Sequence, residues 1–294
     1  MFDGLILLNK SSGVTSFEAL GPIKKALGSG KVGHTGSLDK FADGLLAILT
    51  GKALKLASCF TGCNKHYDAL VRFGNETDTL DPEGRVIAEA PIPEKSVLEA
   101  ALERFRGDIM QTPPVFSAIH VNGKRAHKLA RNGVSVEMKP RPVTIHELEL
   151  TDYSPPFARL GVRCSAGTYV RSLARDIALA AGSRAHLAGL TRTALGTFPL
   201  ADALSLPPSV KPETVIDALR PIDRSVFAAL SILVVDVDEK TALAMRRGIP
   251  IAEIAPDEKS GRHVAAFCGD SFIALFRGLS DETAGNRRRY AFVF

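Results

Sequence analysis

Apolar and polar positions change rhythm several times along this chain, and each change predicts an element. Leu5 to Leu8 is a continuous apolar run, the pattern of a short buried strand. In the following TSFEALGPIKKALG, Thr15 and Glu18 form a capping box, so a helix is expected to begin there and end near Gly28. Phe41, Leu45, Ile48 and Leu49 fall at helical spacing, which predicts a helix up to Gly51 and a second from Ala53 to Phe60. HYDALVRF then alternates, with Tyr67, Ala69, Val71 and Phe73 opposite His66, Asp68 and Arg72, and predicts a strand with one inward face.

Further along, Asp81 to Gly84 reads as a turn, Arg85 to Ala90 as a strand and Glu94 to Phe105 as a helix. The prolines and the Asn122-Gly123 pair of QTPPVFSAIHVNGKRAHKLARNGV mark loops and a turn, with a short basic helix from Ala126 to Asn132. PVTIHELEL and ARLGVRC alternate as strands, and SAGTYVRSLARDIALAAG is a tight turn entering a helix that Gly182 closes. Strands and helices interleave without a steady βαβ period, so the fold class is mixed α+β. Leu206 to Pro221 wraps or links, and beyond about Ser231 short strands take over, with one helix in EKTALAMRRG. Two domains are expected, residues 1–230 and a small β-rich unit of residues 231–294.

Composition narrows the function classes. A chain of 294 residues, 45% hydrophobic, with mean hydropathy +0.07, buries enough apolar surface to fold. Its net charge of +5 favours a polyanionic partner, because clustered Lys and Arg release counterions from a phosphate backbone. Three basic clusters, NGKRAHKLAR, MRRG and NRRRY, are candidates for such a track. Four cysteines, Cys59, Cys63, Cys164 and Cys268, lack paired metal-ligand spacing and read as reduced thiols, so no metal site is expected. The start of the chain lacks the charged and apolar regions of a signal peptide, and no window approaches the ~20 apolar residues of a membrane span, which predicts a soluble cytoplasmic protein. GLILLNKS is no phosphate loop, since Asn9 replaces the second glycine.

The candidate chemistry centres on GHTGSLDKFADG. Asp39 there has two readings: a cap for the expected helix, or a carboxylate held for reaction. A cap leaves Gly33, His34, Thr35 and Gly36 unexplained, whereas two glycines permit close approach of a ligand. Arg171 enters its helix at the positive end of the dipole, a local disadvantage of roughly 0.3–1 kcal/mol that something must offset. Asp176 or solvent could do so; so could a distant carboxylate such as Asp39, whose pKa the guanidinium would lower. The chain has no Trp and four Tyr; Tyr67 and Tyr169 are either core residues or platforms on which an unstacked base would lie.

GHTGSLDKFADGLL, KHYDALVRFGNETDTLDPEG, QTPPVFSAIHVNGKRAHKLARNGV and CSAGTYVRSLARDI, in that order, resemble the TruB family of tRNA pseudouridine synthases over residues 4–198. The resemblance implies a mixed, mainly antiparallel central sheet flanked by helices, followed by a small PUA-like RNA-binding domain. It implies that Asp39 is catalytic, that Arg171 pairs with it, that Tyr67 stacks on the target uracil, and that His34, Tyr169 and Leu190 bind substrate. The implied reaction converts uridine-55 of the tRNA T arm to pseudouridine after base flipping, with no cofactor, in a monomer needing no protein partner. Some positions depart from the family: Lys40 replaces proline, Asp43 threonine, Ser11-Ser12 a proline-containing step, and Phe116 and His120 a tyrosine and a lysine. These imply altered RNA contacts, with Asp43 expected to repel phosphate.

Two rival classes are weighed by the same residues. An RNA-binding module without chemistry would have no need of a dry carboxylate. A guide-RNA-dependent subunit is disfavoured by Gln111 to Gly133, which resembles an insertion used for standalone tRNA binding.

Overall fold

The computed structural model describes residues 2–117, 119–121, 123–126, 129, 136–206, 211–249, 263–277 and 290–294. In chain order the strands are β1 Gly4–Lys10, β2 Val32–Thr35, β3 Asp43–Thr50, β4 Lys65–Phe73, β5 Asn75–Thr77, β6 Val86–Glu89, β7 Gly107–Gln111, β8 His120–Val121, β9 Lys124–Arg125, β10 Arg141–Ser154, β11 Phe157–Cys164, β12 Ala185–Leu195, β13 Phe198–Pro199 and β14 Leu204–Ser205. The helices among them are α1 Gly21–Leu27, α2 Ala57–Thr61, α3 Lys95–Leu102 and α4 Val170–Ala180. Later come α5 Pro212–Asp217, α6 Arg224–Ala229, β15 Leu233–Asp236, α7 Glu239–Arg246, β16 His263–Cys268, β17 Ser271–Arg277 and β18 Tyr290–Val293.

A ten-stranded sheet forms the frame, in the order β14-β1-β3-β12-β4-β11-β10-β7, with β2 on β3 and β13 on β12. The β1/β14 and β3/β12 pairs are parallel and the others antiparallel, which is the mixed, mainly antiparallel sheet that the resemblance implies. The amphipathic helix α4 buries Leu173, Ala174 and Ile177 in one core cluster with Ala69, Val71 and Phe73 of β4.

The segment after Asp39 corrects the sequence expectation. Where spacing predicts a helix from Phe41, the chain forms β3, antiparallel to β1. Leu45, Ala47 and Leu49 enter one core cluster, whereas Leu46 and Ile48 enter another against α1. A strand buried on both faces has no polar positions with which to display its two-residue period, so its apolar run reads equally well as a helix. The helix expected from Ala53 to Phe60 is a 3-10 stretch, Gly51–Leu56, followed by the short α2. The capping box is present: Thr15 N donates to Glu18 Oε2 at 2.8 Å and Glu18 N to Thr15 Oγ1 at 3.2 Å. The basic helix expected from Ala126 to Asn132 lies largely outside the described residues, as do the arginines of NRRRY.

The last strands form a separate sheet, β15-β16-β17-β18, which is the small β-rich unit expected at this end. Phe227 of α6 packs on Phe267 and Phe272 of this sheet, and these rings share one core cluster with Leu5, Leu49 and Phe60 of the larger unit. Among the described residues no helix is long and apolar enough to cross a membrane.

Candidate active site

Asp39 stands in the loop between β2 and β3, and three anchors fix that loop. The Lys10 ammonium, 1% exposed, donates to the carbonyls of Ser11, Val14 and Ala42 at 2.9, 2.6 and 2.6 Å. Ser16 Oγ accepts from Leu38 N at 2.9 Å and donates to Leu38 O at 3.1 Å. Ser12, one of the departures from the family pattern, donates to the Phe41 carbonyl at 2.7 Å. Gly44 then turns the chain into β3 at φ +99°, where a Cβ would lie 2.5 Å from the Arg192 carbonyl oxygen, so only glycine fits. The cap reading of Asp39 is overturned, since a strand follows and there is no helix end to cap.

Arg171, the second residue of α4, reaches Asp39 across 132 positions of sequence. Its Nε lies 2.8 Å from Asp39 Oδ2 and its Nη2 donates to Oδ1 at 3.2 Å. Asp176 does not supply the counter-charge; it pairs with Arg175 instead. A second carboxylate does: Arg171 Nη1 donates to Asp81 Oδ2 at 3.2 Å and to the Thr79 carbonyl at 2.8 Å, while Nη2 also donates to the Phe116 carbonyl at 3.0 Å. Asp81 is itself tied down, accepting on Oδ1 from Thr79 Oγ1 at 2.6 Å and from Glu83 N at 3.0 Å. A guanidinium only 5% exposed is thus balanced by two acids and two carbonyls.

Asp39, Tyr67, Tyr169 and Arg171 line a cavity of about 550 Å³, with Lys40, Lys65, Asp81, Arg141 and Arg192 also on its wall. His34 and Leu190 are not on that wall. His34 lies on β2, its imidazole pushed down by burial and by the Arg192 charge. Leu190 is buried within β12, in the core cluster against which Tyr67 packs. Gly33 accommodates packing and not a ligand, because a Cβ there would meet Leu54 at 2.8 Å. Asp43 is half-buried, with Oδ1 out of solvent, and its charge raises the pKa of the buried Lys10 against the stronger lowering by burial.

Burial sets the direction of the pKa shifts in the site. It pushes the Asp39 carboxyl above its ordinary value; Arg171 pulls the other way without winning, and Asp81 adds to the rise. Arg171 thus lowers the Asp39 pKa as the sequence reading expects, but burial outweighs it and the net shift is upward. Burial likewise pushes the Tyr67 hydroxyl up to about 12, so it is a neutral phenol at physiological pH, despite the Arg192 charge beside it. Arg192, 1% exposed, donates to the carbonyls of Leu45 and Gly36 at 2.6 and 3.2 Å and so ties β12 to the Asp39 loop.

The sequence pattern does not single out Asp81, Arg192 or Gln111. Asp81 is absorbed by its turn. Gln111, fully buried, accepts from Tyr169 N at 2.8 Å and donates to Tyr169 O at 3.2 Å, fixing the entrance to α4. A charged residue at an inward position of a strand, as Arg192 is in LTRTALG, is the one local signal that could have been followed.

Residues 24–170 match the model of the TruB family pseudouridylate synthase N-terminal domain. A tRNA pseudouridine synthase B of Borreliella burgdorferi (strain ZS7) is 47% identical over 206 residues, 69% of this chain and 73% of its own. One of Azoarcus sp. (strain BH72) is 40% identical over 276 residues, 93% of this chain and 90% of its own. The fold is similar to a chain in the crystal structure of a Cbf5-Nop10-Gar1 complex, with TM-score 0.75 at 24% identity over 99% of this chain and 85% of that one. With a relative 40% identical over 93% of this chain, and a family model matched by residues 24–170, the chain belongs to the TruB family of pseudouridylate synthases.

Proposed function

We propose that this protein isomerises uridine-55 in the T arm of tRNA to pseudouridine, with Asp39 as the catalytic carboxylate. The single observation that carries the reading is the Asp39–Arg171 pair on the wall of a cavity that also exposes Tyr67 and Tyr169. The names of the relatives, tRNA pseudouridine synthase B, support tRNA as the substrate. The rearrangement breaks the bond from N1 to the ribose C1′ and joins C5 to C1′. The C5 proton is lost and N1 ends protonated, so every heavy atom of the substrate is retained and no co-reactant is consumed.

A stacked uridine must leave its arm to reach Asp39, and unstacking costs a few kcal/mol. Stacking on Tyr67 returns about 1–3 kcal/mol of it. Ionised Asp39 then adds to the base or the sugar, or stabilises charge as the glycosidic bond parts. Tyr169 stands at the entrance of α4, on the same wall, where it contacts the everted nucleotide. His34 and Leu190 act from behind the wall, the first on the Asp39 loop and the second on the packing of Tyr67. Residues 1–230 form the catalytic unit and residues 231–294 a PUA-like RNA-binding unit. The protein works in the cytoplasm as a monomer without an obligatory protein partner.

The test is release of tritium from a tRNA transcript made with C5-tritiated uridine. The purified chain alone is expected to release it, and Asp39→Asn to bind the transcript without release. Equal release by the variant sinks the assignment of Asp39. Release only on addition of a guide RNA would assign the chain to the guided class.

A further inference from the structure

Arg141 lies on the wall of the cavity and takes no part in the Asp39–Arg171 pair. It opens β10 opposite Gln111 of β7, and the two paired residues hold Tyr169 from two sides. Gln111 bonds its backbone at both N and O. Arg141 lays its guanidinium 5.1 Å from the centre of the Tyr169 ring.

The remaining chemistry of Arg141 is largely unspent. Its Nη2 donates to the Gly167 carbonyl at 2.5 Å, while Nε is buried without a partner. The other arginines and Lys65 of the wall are engaged differently. Arg171 faces two carboxylates, Lys65 Nζ donates to the carbonyls of Thr61 and Cys63, and Arg192 donates to those of Leu45 and Gly36. Among the described residues Arg141 has no carboxylate partner. A guanidinium carries five donors in a planar fork that matches a phosphate. Stacking on a tyrosine face, with Nη2 on Gly167 and Nε buried, leaves Nη1 of that fork uncommitted among the described residues.

We propose that Arg141 binds a backbone phosphate of the RNA strand that carries the target uridine, at the rim of the cavity beside Tyr169. A phosphate supplies the anionic partner that Arg141 lacks among the described residues, where Asp39 and Asp81 of the wall are turned to Arg171; the neutral carbonyls of a uracil would not supply one. The inference rests on the tRNA reading above and adds to it one contact that discriminates nothing in base sequence but sets register.

The experiment uses the full chain carrying Asp39→Asn, so that bound RNA is not turned over, and an unmodified tRNA transcript. Dissociation constants are measured across a salt series for this parent and for added Arg141→Gln or Arg141→Lys. Losing one phosphate contact reduces the slope of log K against log salt by about 0.7–0.9. The affinity advantage of the parent over the Gln variant should therefore shrink about threefold between about 50 and about 200 mM salt. Lys keeps the charge and loses the stack, so its slope should match the parent. A slope unchanged by Arg141→Gln, or lost equally with Lys, overturns the inference. A parent that binds the transcript without salt dependence, or an intact Asp39 chain that releases no tritium, removes the tRNA reading instead.

Discussion

Arg171 and Phe227 are both almost inaccessible to solvent, at 5% and 0%, yet they belong to regions built on opposite chemistry. Around Phe227 the second sheet meets the first through a cluster of rings, with Phe272 touching Phe227, Phe267, Phe292 and Phe294 at centroid distances of 4.6, 5.5, 5.8 and 5.3 Å. Such contacts stabilise by area and by packing, and none needs a partner of opposite charge. Around Arg171, by contrast, a buried cation requires Asp39, Asp81 and two carbonyls to balance it. Removing charge from water costs several kcal/mol per ion, and good geometry returns only part of it. The aromatic region therefore holds the molecule's shape, and the charged region spends stability to keep one carboxylate beside a cavity.

The largest break in this comparison is Asp39→Asn, expected to lower tritium release by more than about a thousandfold. Its effect on stability should show in the pH dependence of melting. The folded carboxyl has a raised pKa, so the folded state binds that proton more tightly than the unfolded state does. Stability from this group is present at low pH and is lost as pH rises from the ordinary carboxylate value through the raised one. Asparagine cannot ionise, so melting of the variant should lose this dependence on pH. Phe227→Ala should do the reverse: a loss of about 3–5 kcal/mol in denaturant unfolding, with the rate per folded molecule unchanged in single-turnover assays. Smaller is Arg171→Lys, which keeps a charge but not the fork that spans two acids, and should cost roughly tenfold to a hundredfold in turnover.

The same contrast explains what was legible in the sequence. β4 displays its alternation because its outer face, with His66, Asp68 and Arg72, is polar, whereas β3 hides its own because Leu45 and Leu46 enter different cores. Thr15 and Glu18 announce their cap because both partners lie within four residues. The pairing of Asp39 with Arg171 leaves a trace in the misplaced cation at a helix start and in four ordered motifs. Asp81 meets Arg171 over 90 positions, Gln111 meets Tyr169 over 58 and Arg192 meets Gly36 over 156, and no local period records contacts of that range. The sign of the Asp39 shift was hidden for a related reason: the guanidinium can be inferred from a motif, but the desolvation that outweighs it belongs to the assembled wall.

The smallest effect tests that balance directly. If reaction needs Asp39 ionised, turnover falls on the acid side as pH drops through its pKa, and this limb should lie above the ordinary carboxylate value of about 3.9. Asp81 contributes to the rise as a like charge, so Asp81→Asn should move the limb to lower pH. That holds while Arg171 stays in place, and the Thr79 and Phe116 carbonyls remain to hold it at 2.8 and 3.0 Å. Were the guanidinium to leave with Asp81, Asp39 would lose the attraction that lowers its pKa and the limb would climb instead. Measuring turnover against pH for Asp81→Asn thus separates a carboxylate that tunes charge from one that merely anchors Arg171. A limb that climbs or stays fixed defeats the view that two acids share one buried cation at the expense of Asp39's acidity.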